Sequence, residues 1–506
     1  MKKKLFVLGF IFTLLIPAIS VYGEEGHDWE DERIYFIMVD RFMNGTSDND
    51  FDIDPNDPRA YHGGDLEGII QKLDYIKGMG FTTIWLTPIM DNMEGGYHGY
   101  WIKDFKNVDE HFGTLEDAKR LVDEAHKRDI KVIFDFVVNH TGYNHPWLQD
   151  PTKEDWFHPE KKMMGENQEV LETAWLAGLP DLNTENPEVR EYLFDSARFW
   201  IEETGVDGFR LDTVKHVPRD FWEQFSAFVK NIEEDFFLLG EVWNSDPRYI
   251  ADYENTGIDT FVDYPLYEAA TNSFKKVDQN LSELMSVWNR NKTFYERPYL
   301  LGKFLDNHDN PRFTTLALSE QQRPEARWKL ALSYFYTTPG IPIIYQGSEV
   351  PMEGGNDPDN RQMMDFNSGD GVLEKHLQRL STIRDQHPAL VNGTMEEIEA
   401  GDGFLVFKRE NDEETLYVAI NNSTSEKSAE ISDLEEGYQL RGLLNDDLVR
   451  MNDDNLYKIG VGPESVEIFK IEEDQGVNLL FVFSIGAVIL LFIGFVFVTS
   501  RKNKTN

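Results

Sequence analysis

The chain has 506 residues, a formal net charge of −42 at pH 7 and no cysteine. Its length allows two to four domains and a large buried core. The strongly acidic balance makes nucleic acid and anionic membrane surfaces poor partners. The lack of cysteine excludes disulfides, zinc–thiolate sites and thiol nucleophiles, so a bound metal must take oxygen or imidazole ligands.

Both ends of the chain carry an apolar segment. A lysine triplet at residues 2–4 precedes an apolar run that ends at Ile19, which predicts a secretory signal peptide. Near the other end, Leu479–Val498 contains no charged residue and would reach about 30 Å as a helix, the hydrocarbon thickness of a bilayer. The basic residues that follow predict a cytoplasmic tail. The sequence therefore predicts a secreted protein held at the extracellular face of the cell membrane by a single-pass C-terminal anchor.

Between these segments, short apolar runs alternate with amphipathic helical patterns. Eight runs predict strands, at residues 34–39, 83–87, 131–138, 208–211, 236–240, 260–263, 300–305 and 341–345. Helical patterns lie at residues 69–78, 115–128, 187–203, 218–232, 324–337 and 373–386. Strands and helices in this series predict an α/β fold, a (β/α)8 TIM barrel.

Two stretches interrupt this alternation. The segment after the third strand is too long for an ordinary loop and predicts an inserted domain B. After His387 the pattern changes to short alternating strands, which predicts a C-terminal antiparallel β domain. The predicted organisation is a signal peptide (1–23), a catalytic barrel (24–140 and 183–391) interrupted by domain B (141–182), a C-terminal β domain (392–472), a transmembrane helix (477–500) and a cytoplasmic tail (501–506).

Polar residues follow several predicted strands at the end where barrel enzymes place their active sites. Cleaving a glycosidic acetal needs one carboxylic acid to protonate the leaving oxygen and one carboxylate at the anomeric carbon. Asp212 lies two residues after Arg210 on one strand, so both side chains point to the same side, and a neighbouring guanidinium favours an ionised carboxylate. Glu241, near Trp243, suits the role of the acid. This pattern favours glycoside hydrolysis.

Five segments, taken together and in order, resemble the shared motifs of glycoside hydrolase family 13, the α-amylase family. The resemblance implies a calcium-containing retaining enzyme that acts on α-glucans, with a barrel, an insert and a C-terminal β domain. By this resemblance Asp212 is the nucleophile, Glu241 the acid/base and Asp309 the transition-state stabiliser. The segments are Asp135–His140, Leu179–Asn183, Gly208–His216, Glu241–Trp243 and Phe304–Asp309.

Further residues are expected to bind the sugar chain. Two of these residues have an alternative interpretation: Trp101 also fits a core residue, and Asp357 followed by Pro358 is also an ordinary turn signal. The expected substrate-binding residues are His98, Tyr100, Trp101, His140, Arg210, Lys215, His216, His308, Asp357 and Arg361.

The resemblance also implies calcium. A first ion would join domain B to the barrel through Asn139, Glu172, Asp181 and the backbone oxygen of His216. A second ion resembles one of cyclodextrin-forming relatives, and a solvated acidic loop is the competing interpretation of that segment. The residues of this second site would be Asn44, Thr46, Asn49, Asp50, Gly63 and Asp65.

Three functions remain open at this stage. Residues 179–182 and 213–216 are similar to α-amylases, so we expect calcium-dependent, retaining endo-hydrolysis of α-1,4 bonds in starch-like α-glucans and malto-oligosaccharides. The alternative is a family 13 transglycosylase or a maltogenic or cyclodextrin-active enzyme. A remote alternative is an inactive amylase-like membrane subunit, although such proteins generally lose the acidic triad that is present here.

Overall fold

The computed structural model describes residues 29–474, 476 and 479–502. The predicted signal peptide and residues 503–506 of the predicted tail lie outside the described residues. The described strands are β1 (Ile34–Ile37), β2 (Thr83–Leu86), β3 (Met90–Asn92), β4 (Ile102–Val108), β5 (Lys131–Phe136), β6 (Gly208–Leu211), β7 (Phe237–Gly240), β8 (Thr260–Phe261), β9 (Gly302–Lys303), β10 (Ile341–Tyr345), β11 (Thr394–Gly401), β12 (Phe404–Glu410), β13 (Thr415–Asn421), β14 (Lys427–Ile431), β15 (Tyr438–Gly442), β16 (Leu448–Arg450), β17 (Tyr457–Val461) and β18 (Ser465–Glu473).

Helices connect and cover these strands. The α-helices are α1 (Leu66–Gly78), α2 (Leu115–His126), α3 (Gln168–Thr173), α4 (Pro187–Thr204), α5 (Arg219–Ile232), α6 (Pro247–Ala251), α7 (Tyr264–Phe274), α8 (Ser282–Phe294), α9 (Phe313–Ser319), α10 (Pro324–Thr337), α11 (Val372–Gln386), α12 (Ala389–Asn392) and α13 (Leu479–Lys502).

Eight parallel strands form the barrel. Their order is β8-β7-β6-β5-β2-β1-β10-β9, and a bridge between Val262 and Gly302 closes the sheet between its two ends. Every barrel strand lies within a predicted apolar run, and almost all of its residues are buried because helices cover the outside and side chains fill the inside. The predicted (β/α)8 barrel is confirmed.

Two helices of the barrel begin directly after a residue that caps them. Thr114 and Asp117 form a reciprocal capping box at α2, and Asn186 caps α4 ahead of Pro187 at its first position. The segment between β5 and α4 contains α3 and is tied to the barrel by a bridge between His140 and Asp181. After α12 the chain forms the predicted β domain, a sheet in the order β11-β12-β13-β18-β15-β16 with a separate β14-β17 pair.

Some elements differ from the sequence prediction. The segment after β2 makes an irregular hairpin of β3 and β4, which holds residues 97–101 at its tip. Two helices, α7 and α8, separate β8 from β9, where the apolar pattern predicts none. Asp263 caps α7 and Pro265 lies in its first turn, so start signals for this helix overlap the predicted strand at 260–263.

The predicted membrane anchor is wrong. Throughout the part of the chain that the structure describes, no helix combines enough length with enough apolar character to cross a membrane. Three predictions are therefore wrong: the single-pass membrane span at the C-terminus, the bilayer as a partner, and the anchored location at the extracellular face.

Candidate active site

One arginine joins three carboxylates at the carboxyl ends of neighbouring barrel strands. Arg210 Nη1 lies 2.9 Å from both carboxylate oxygens of Asp135 and 2.7 Å from Asp212 Oδ1. Its Nη2 lies 2.7 Å from Glu241 Oε1. All four side chains are buried. The register of β5, β6 and β7 thus brings together the Asp212 and Glu241 carboxylates that the sequence pairs.

The Asp212 carboxylate is held from both sides. Thr213 Oγ1 donates to Oδ2 at 3.0 Å, while Arg210 contacts Oδ1. Burial raises the pKa of the Asp212 carboxyl, and the Arg210 guanidinium opposes that shift. Arg210 therefore acts to lower the pKa of Asp212, as the sequence predicts, but burial has the larger effect and the net shift is upward. The contact with Arg210 favours the ionised form of the carboxylate that a nucleophile requires.

The Glu241 carboxylate accepts two hydrogen bonds and forms an ion pair with Arg210. Oε1 pairs with Arg210 Nη2 at 2.7 Å and accepts from the Tyr264 hydroxyl at 3.0 Å. Oε2 accepts from the Thr213 backbone N–H at 3.0 Å. Thr213 has φ of 45°, a left-handed conformation that is rare for a β-branched residue and aims its N–H at this oxygen. The sequence predicts neither the Thr213 nor the Tyr264 contact with Glu241.

Asp309 lies beside His308 of its own predicted segment and beside Arg361 of another. Its Oδ1 lies 3.1 Å from Arg361 Nη2, and its Oδ2 lies 3.3 Å from His308 Nε2. Arg361 also pairs with the half-exposed Asp357 at 3.1 Å. The structure therefore brings these four predicted residues together, with Asp309 more open than Asp212 or Glu241.

Histidine and tyrosine side chains line the cleft beside these carboxylates. Tyr100 stacks on His308 with ring centroids 5.1 Å apart, donates its hydroxyl to Asp135 at 2.8 Å, and donates its backbone N–H to His98 Nδ1. Burial lowers the pKa of His140 to about 4 and holds the pKa values of His98 and His308 well below their ordinary value. His140 Nε2 and His308 Nδ1 are buried without a protein partner, so two neutral imidazoles can bond a ligand.

Three predicted residues lie further along the cleft. Lys215 donates from Nζ to the backbone oxygen of Trp243 at 2.7 Å, and Trp243 is 47% exposed with its ring stacked on Tyr264. The His216 ring contacts the backbone oxygen of Leu171 in α3, so it joins the insert to the barrel. Trp101 is partly buried and packs edge-on against Tyr143, so it is neither a core residue nor fully open.

Oxygen atoms converge at the predicted first calcium position. One terminal atom of the Asn139 amide lies 2.9 Å from the His216 backbone oxygen and 3.2 Å from Asp181 Oδ1. With nitrogen at that atom the amide donates two hydrogen bonds; with oxygen there, three oxygens meet without a proton, the arrangement that a bound cation stabilises. Glu172 instead accepts from Gln168 at 2.6 Å in α3. Among the described residues, no cluster of three or more His, Asp or Glu side chains forms a metal site, so an ion here would depend on amide and backbone oxygens.

The predicted second calcium residues form a loop around the start of α1. Asp65 caps α1, and its two oxygens accept from the backbone N–H groups of Gly45, Thr46 and Gly68. A Cβ added at Gly63 would touch the side chains of Asn44 and Asp50, which bond each other at 2.8 Å. Asn49 Oδ1 is buried without a partner. Asp65 is thus engaged in capping, and Asn49 Oδ1 is a buried oxygen that is available to an ion.

Known protein families share this arrangement of barrel and β domain. A family model for the α-amylase catalytic domain matches residues 36–389, and a model for the α-amylase C-terminal domain matches residues 393–469. The chain belongs to glycoside hydrolase family 13, the α-amylase family. It is accordingly a glycoside hydrolase, and the boundary between the two matched regions falls where the barrel ends and the C-terminal β domain begins.

Relatives of the chain within the family carry the names of different enzymes. The chain is 38% identical to a β/α-amylase of Paenibacillus polymyxa over 87% of its own length, but it spans only 38% of that relative. It is 34% identical to a cyclomaltodextrinase of Geobacillus thermopakistaniensis, over 80% of this chain and 71% of the relative. It is 32% identical to a maltogenic α-amylase of Bacillus acidopullulyticus, over 78% and 70% of the two chains.

Solved structures are similar over nearly the whole described fold. An α-amylase of Anoxybacillus has 56% identity and a TM-score of 0.88, over 89% of this chain and all of that one. An α-amylase of Geobacillus thermoleovorans, solved with acarbose, has 54% identity and a TM-score of 0.85, over 88% and 99% of the two chains.

Proposed function

We propose that this enzyme hydrolyses α-1,4-glucosidic bonds in cyclodextrins and malto-oligosaccharides, with retention of configuration and short products. The arrangement that carries the chemistry is the pair of buried carboxylates, Asp212 and Glu241, bridged by Arg210. Retention needs two carboxyl groups about 5 to 5.5 Å apart, and sharing one guanidinium keeps them close. Relatives that are cyclomaltodextrinases and maltogenic amylases support this specificity over endo-attack on starch.

In this mechanism Glu241 protonates the glycosidic oxygen while the Asp212 carboxylate attacks the anomeric carbon. The carbon–oxygen bond breaks, the first sugar leaves with the proton, and a glycosyl ester forms on Asp212. Glu241, now ionised, removes a proton from water that hydrolyses the ester. Asp309 stabilises the positive charge that develops on the sugar ring, and the unpaired nitrogens of His140 and His308 bond its hydroxyls.

A second candidate, endo-acting α-amylase activity, is favoured by the 56% identity to the Anoxybacillus α-amylase. Product analysis separates the two. We expect β-cyclodextrin to be opened and converted mainly to maltose and glucose, at a rate at least comparable with that on soluble starch. A ladder of linear oligosaccharides from starch, with β-cyclodextrin untouched, would instead establish the endo-acting enzyme; cyclic or transferred products would establish a transglycosylase. The Glu241→Gln variant controls for contaminating amylase.

The proposal includes calcium at Asn139, Asp181 and the His216 backbone oxygen. The convergence of these three groups supports it, and a bound ion would supply the positive charge that their oxygens lack. Glu172 lies in α3, whose Leu171 carbonyl contacts the His216 ring, and its carboxylate would have to give up its hydrogen bond with Gln168 or share it to join the set. The same proposal places a second ion at the set around Asn49, whose Oδ1 is buried without a partner.

Chelation is expected to lower the melting temperature by several degrees. An ion that binds only the folded state at 100 times its Kd contributes about 2.7 kcal/mol of stability. Differential scanning calorimetry with EDTA, and after calcium is added back, measures the effect. Asp181→Asn should lose the calcium response, whereas Asp220→Asn, at an exposed position outside the oxygen set, should keep it. Equal melting temperatures for the chelated and calcium-treated wild-type protein would disprove the site.

A further inference from the structure

Tyr264 lies where it can control the acid/base without touching the sugar-binding surface. It is the first residue of α7, three residues after β8 ends at the carboxyl end of the barrel, and only 2% of it is exposed. Its hydroxyl donates to Glu241 Oε1 at 3.0 Å. Burial, and then the nearby Glu241, raise the pKa of Tyr264 well above its ordinary value, so the phenol keeps its proton and acts as the donor.

The Tyr264 ring is fixed by its neighbours. Trp243 stacks on one face, with centroids 5.2 Å apart and planes 8° from parallel, and Phe304 packs edge-on at 5.2 Å. The Tyr264 backbone N–H donates to Val262 O at 3.1 Å, and Asp263 caps the helix that begins here. These contacts hold the ring in the orientation in which its hydroxyl reaches Glu241. Trp243 belongs to the same strand end as Glu241, so the two side chains are positioned together.

The two oxygens of Glu241 are therefore not equivalent. Oε1 already faces two donors, Arg210 Nη2 at 2.7 Å and the Tyr264 hydroxyl. A proton on Oε1 would therefore point toward the protons of these donors and be repelled. Oε2 has one donor, the Thr213 N–H, and a protonated carboxyl oxygen can still accept a hydrogen bond through its other lone pair. The acid proton can thus be carried on Oε2 without breaking a contact.

We propose that Tyr264 is a positioning residue for Glu241, whose hydroxyl, together with Arg210, occupies Oε1 and assigns the transferable proton to Oε2. This inference rests on the proposed function, because it takes Glu241 as the acid/base. In the first step the proton passes from Oε2 to the glycosidic oxygen, the anomeric carbon–oxygen bond breaks, and the leaving sugar departs as the alcohol. Glu241 is left as a carboxylate that Arg210 and Tyr264 stabilise.

Other titratable groups also face Glu241, and the test must separate Tyr264 from them. Replacing only the Tyr264 hydroxyl leaves all of them in place. They are Arg210, Asp135, Asp212, Lys215, His216 and His308.

The experiment compares Tyr264→Phe with the wild-type enzyme on two substrates. Maltotetraose needs a proton on its leaving oxygen, whereas α-maltosyl fluoride releases fluoride with little help from an acid. We expect kcat/KM for maltotetraose to fall about tenfold, since a hydrogen bond to a charged group is lost, and kcat/KM for the fluoride to change less than about twofold.

Tyr267→Phe is the matched control. Tyr267 lies one turn further along α7 and stacks on Phe304 at 4.9 Å, so its variant removes a hydroxyl from the same helix. It should leave kcat/KM for both substrates unchanged, and unfolding curves should show that both variants fold. Equal losses of kcat/KM on the two substrates by Tyr264→Phe would overturn the inference and leave the proposed function intact. A wild-type protein that cleaves neither substrate would overturn both.

Discussion

Asp212→Asn is expected to lower kcat on malto-oligosaccharides by about 10⁴-fold or more, the order of loss seen when a nucleophile is removed from an enzyme. An amide cannot attack the anomeric carbon to form the ester, yet its oxygen can still accept the hydrogen bond that Arg210 Nη1 now gives to Oδ1 at 2.7 Å. The fold and substrate binding should therefore survive. Initial rates on maltotetraose measure the loss, and calorimetric titration with the same sugar measures binding.

Two controls accompany this variant. Asp252→Asn makes the same chemical exchange at an exposed side chain near Arg219 and should keep wild-type rates. Mass spectrometry of the variant should exclude deamidation back to aspartate. An Asp212→Asn protein that is free of deamidation and of wild-type enzyme, but that keeps more than about a tenth of the rate, would show that Asp212 is not the nucleophile.

Glu241→Gln is expected to have the second largest effect, and its size should depend on the leaving group. A glutamine cannot donate the proton, so kcat/KM on maltotetraose should fall by about 10³-fold, within the range for loss of a general acid. On α-maltosyl fluoride, where protonation matters little, kcat/KM should fall by less than about tenfold. Stopped assays of fluoride release and of reducing sugar give the two values.

Azide provides a further check on this variant. After fluoride leaves, hydrolysis of the ester on Asp212 needs a base to activate water, and an amide cannot serve as one. Azide is a nucleophile that needs no base, so it should restore turnover of α-maltosyl fluoride and give α-maltosyl azide. A Glu241→Gln variant that loses equal rate on both substrates and does not respond to azide would assign the acid/base role elsewhere.

Much of this site follows from sequence because its chemistry is concentrated at strand ends. Apolar runs mark the barrel strands, and the residue that follows each strand has to point into the same opening. The order of residues along the chain is therefore enough to pair Asp212 with Glu241 and to place Arg210 of the same strand beside them. The chain's family match confirms the fold that these runs predict.

Other features depend on distant parts of the chain and leave weaker signals. Tyr264 is the first residue of α7, directly after the Asp263 cap, and this position brings its hydroxyl to Glu241. The strand before this helix, β8, has only two residues. Asp65 carries the residue type of a calcium ligand, but three backbone N–H groups use its oxygens in capping. The predicted anchor depends on apolar content and charge flanks alone, and no described helix supports it.

The anomeric form of the first product tests the account most directly. Retention through an ester on Asp212 predicts that α-linked substrate releases α-configured sugar before mutarotation. Proton NMR of maltotetraose hydrolysis, recorded within the first minutes at an enzyme concentration that makes cleavage faster than mutarotation, distinguishes the two anomers. The reducing end of maltotetraose itself is already a mixture of anomers, so the newly formed reducing ends are read as the signal gained over this mixture. Retention predicts that the gain is α at the earliest time points and that additional β signal appears only as mutarotation proceeds. Newly formed reducing ends of β configuration would contradict a nucleophilic Asp212 and require direct attack by water.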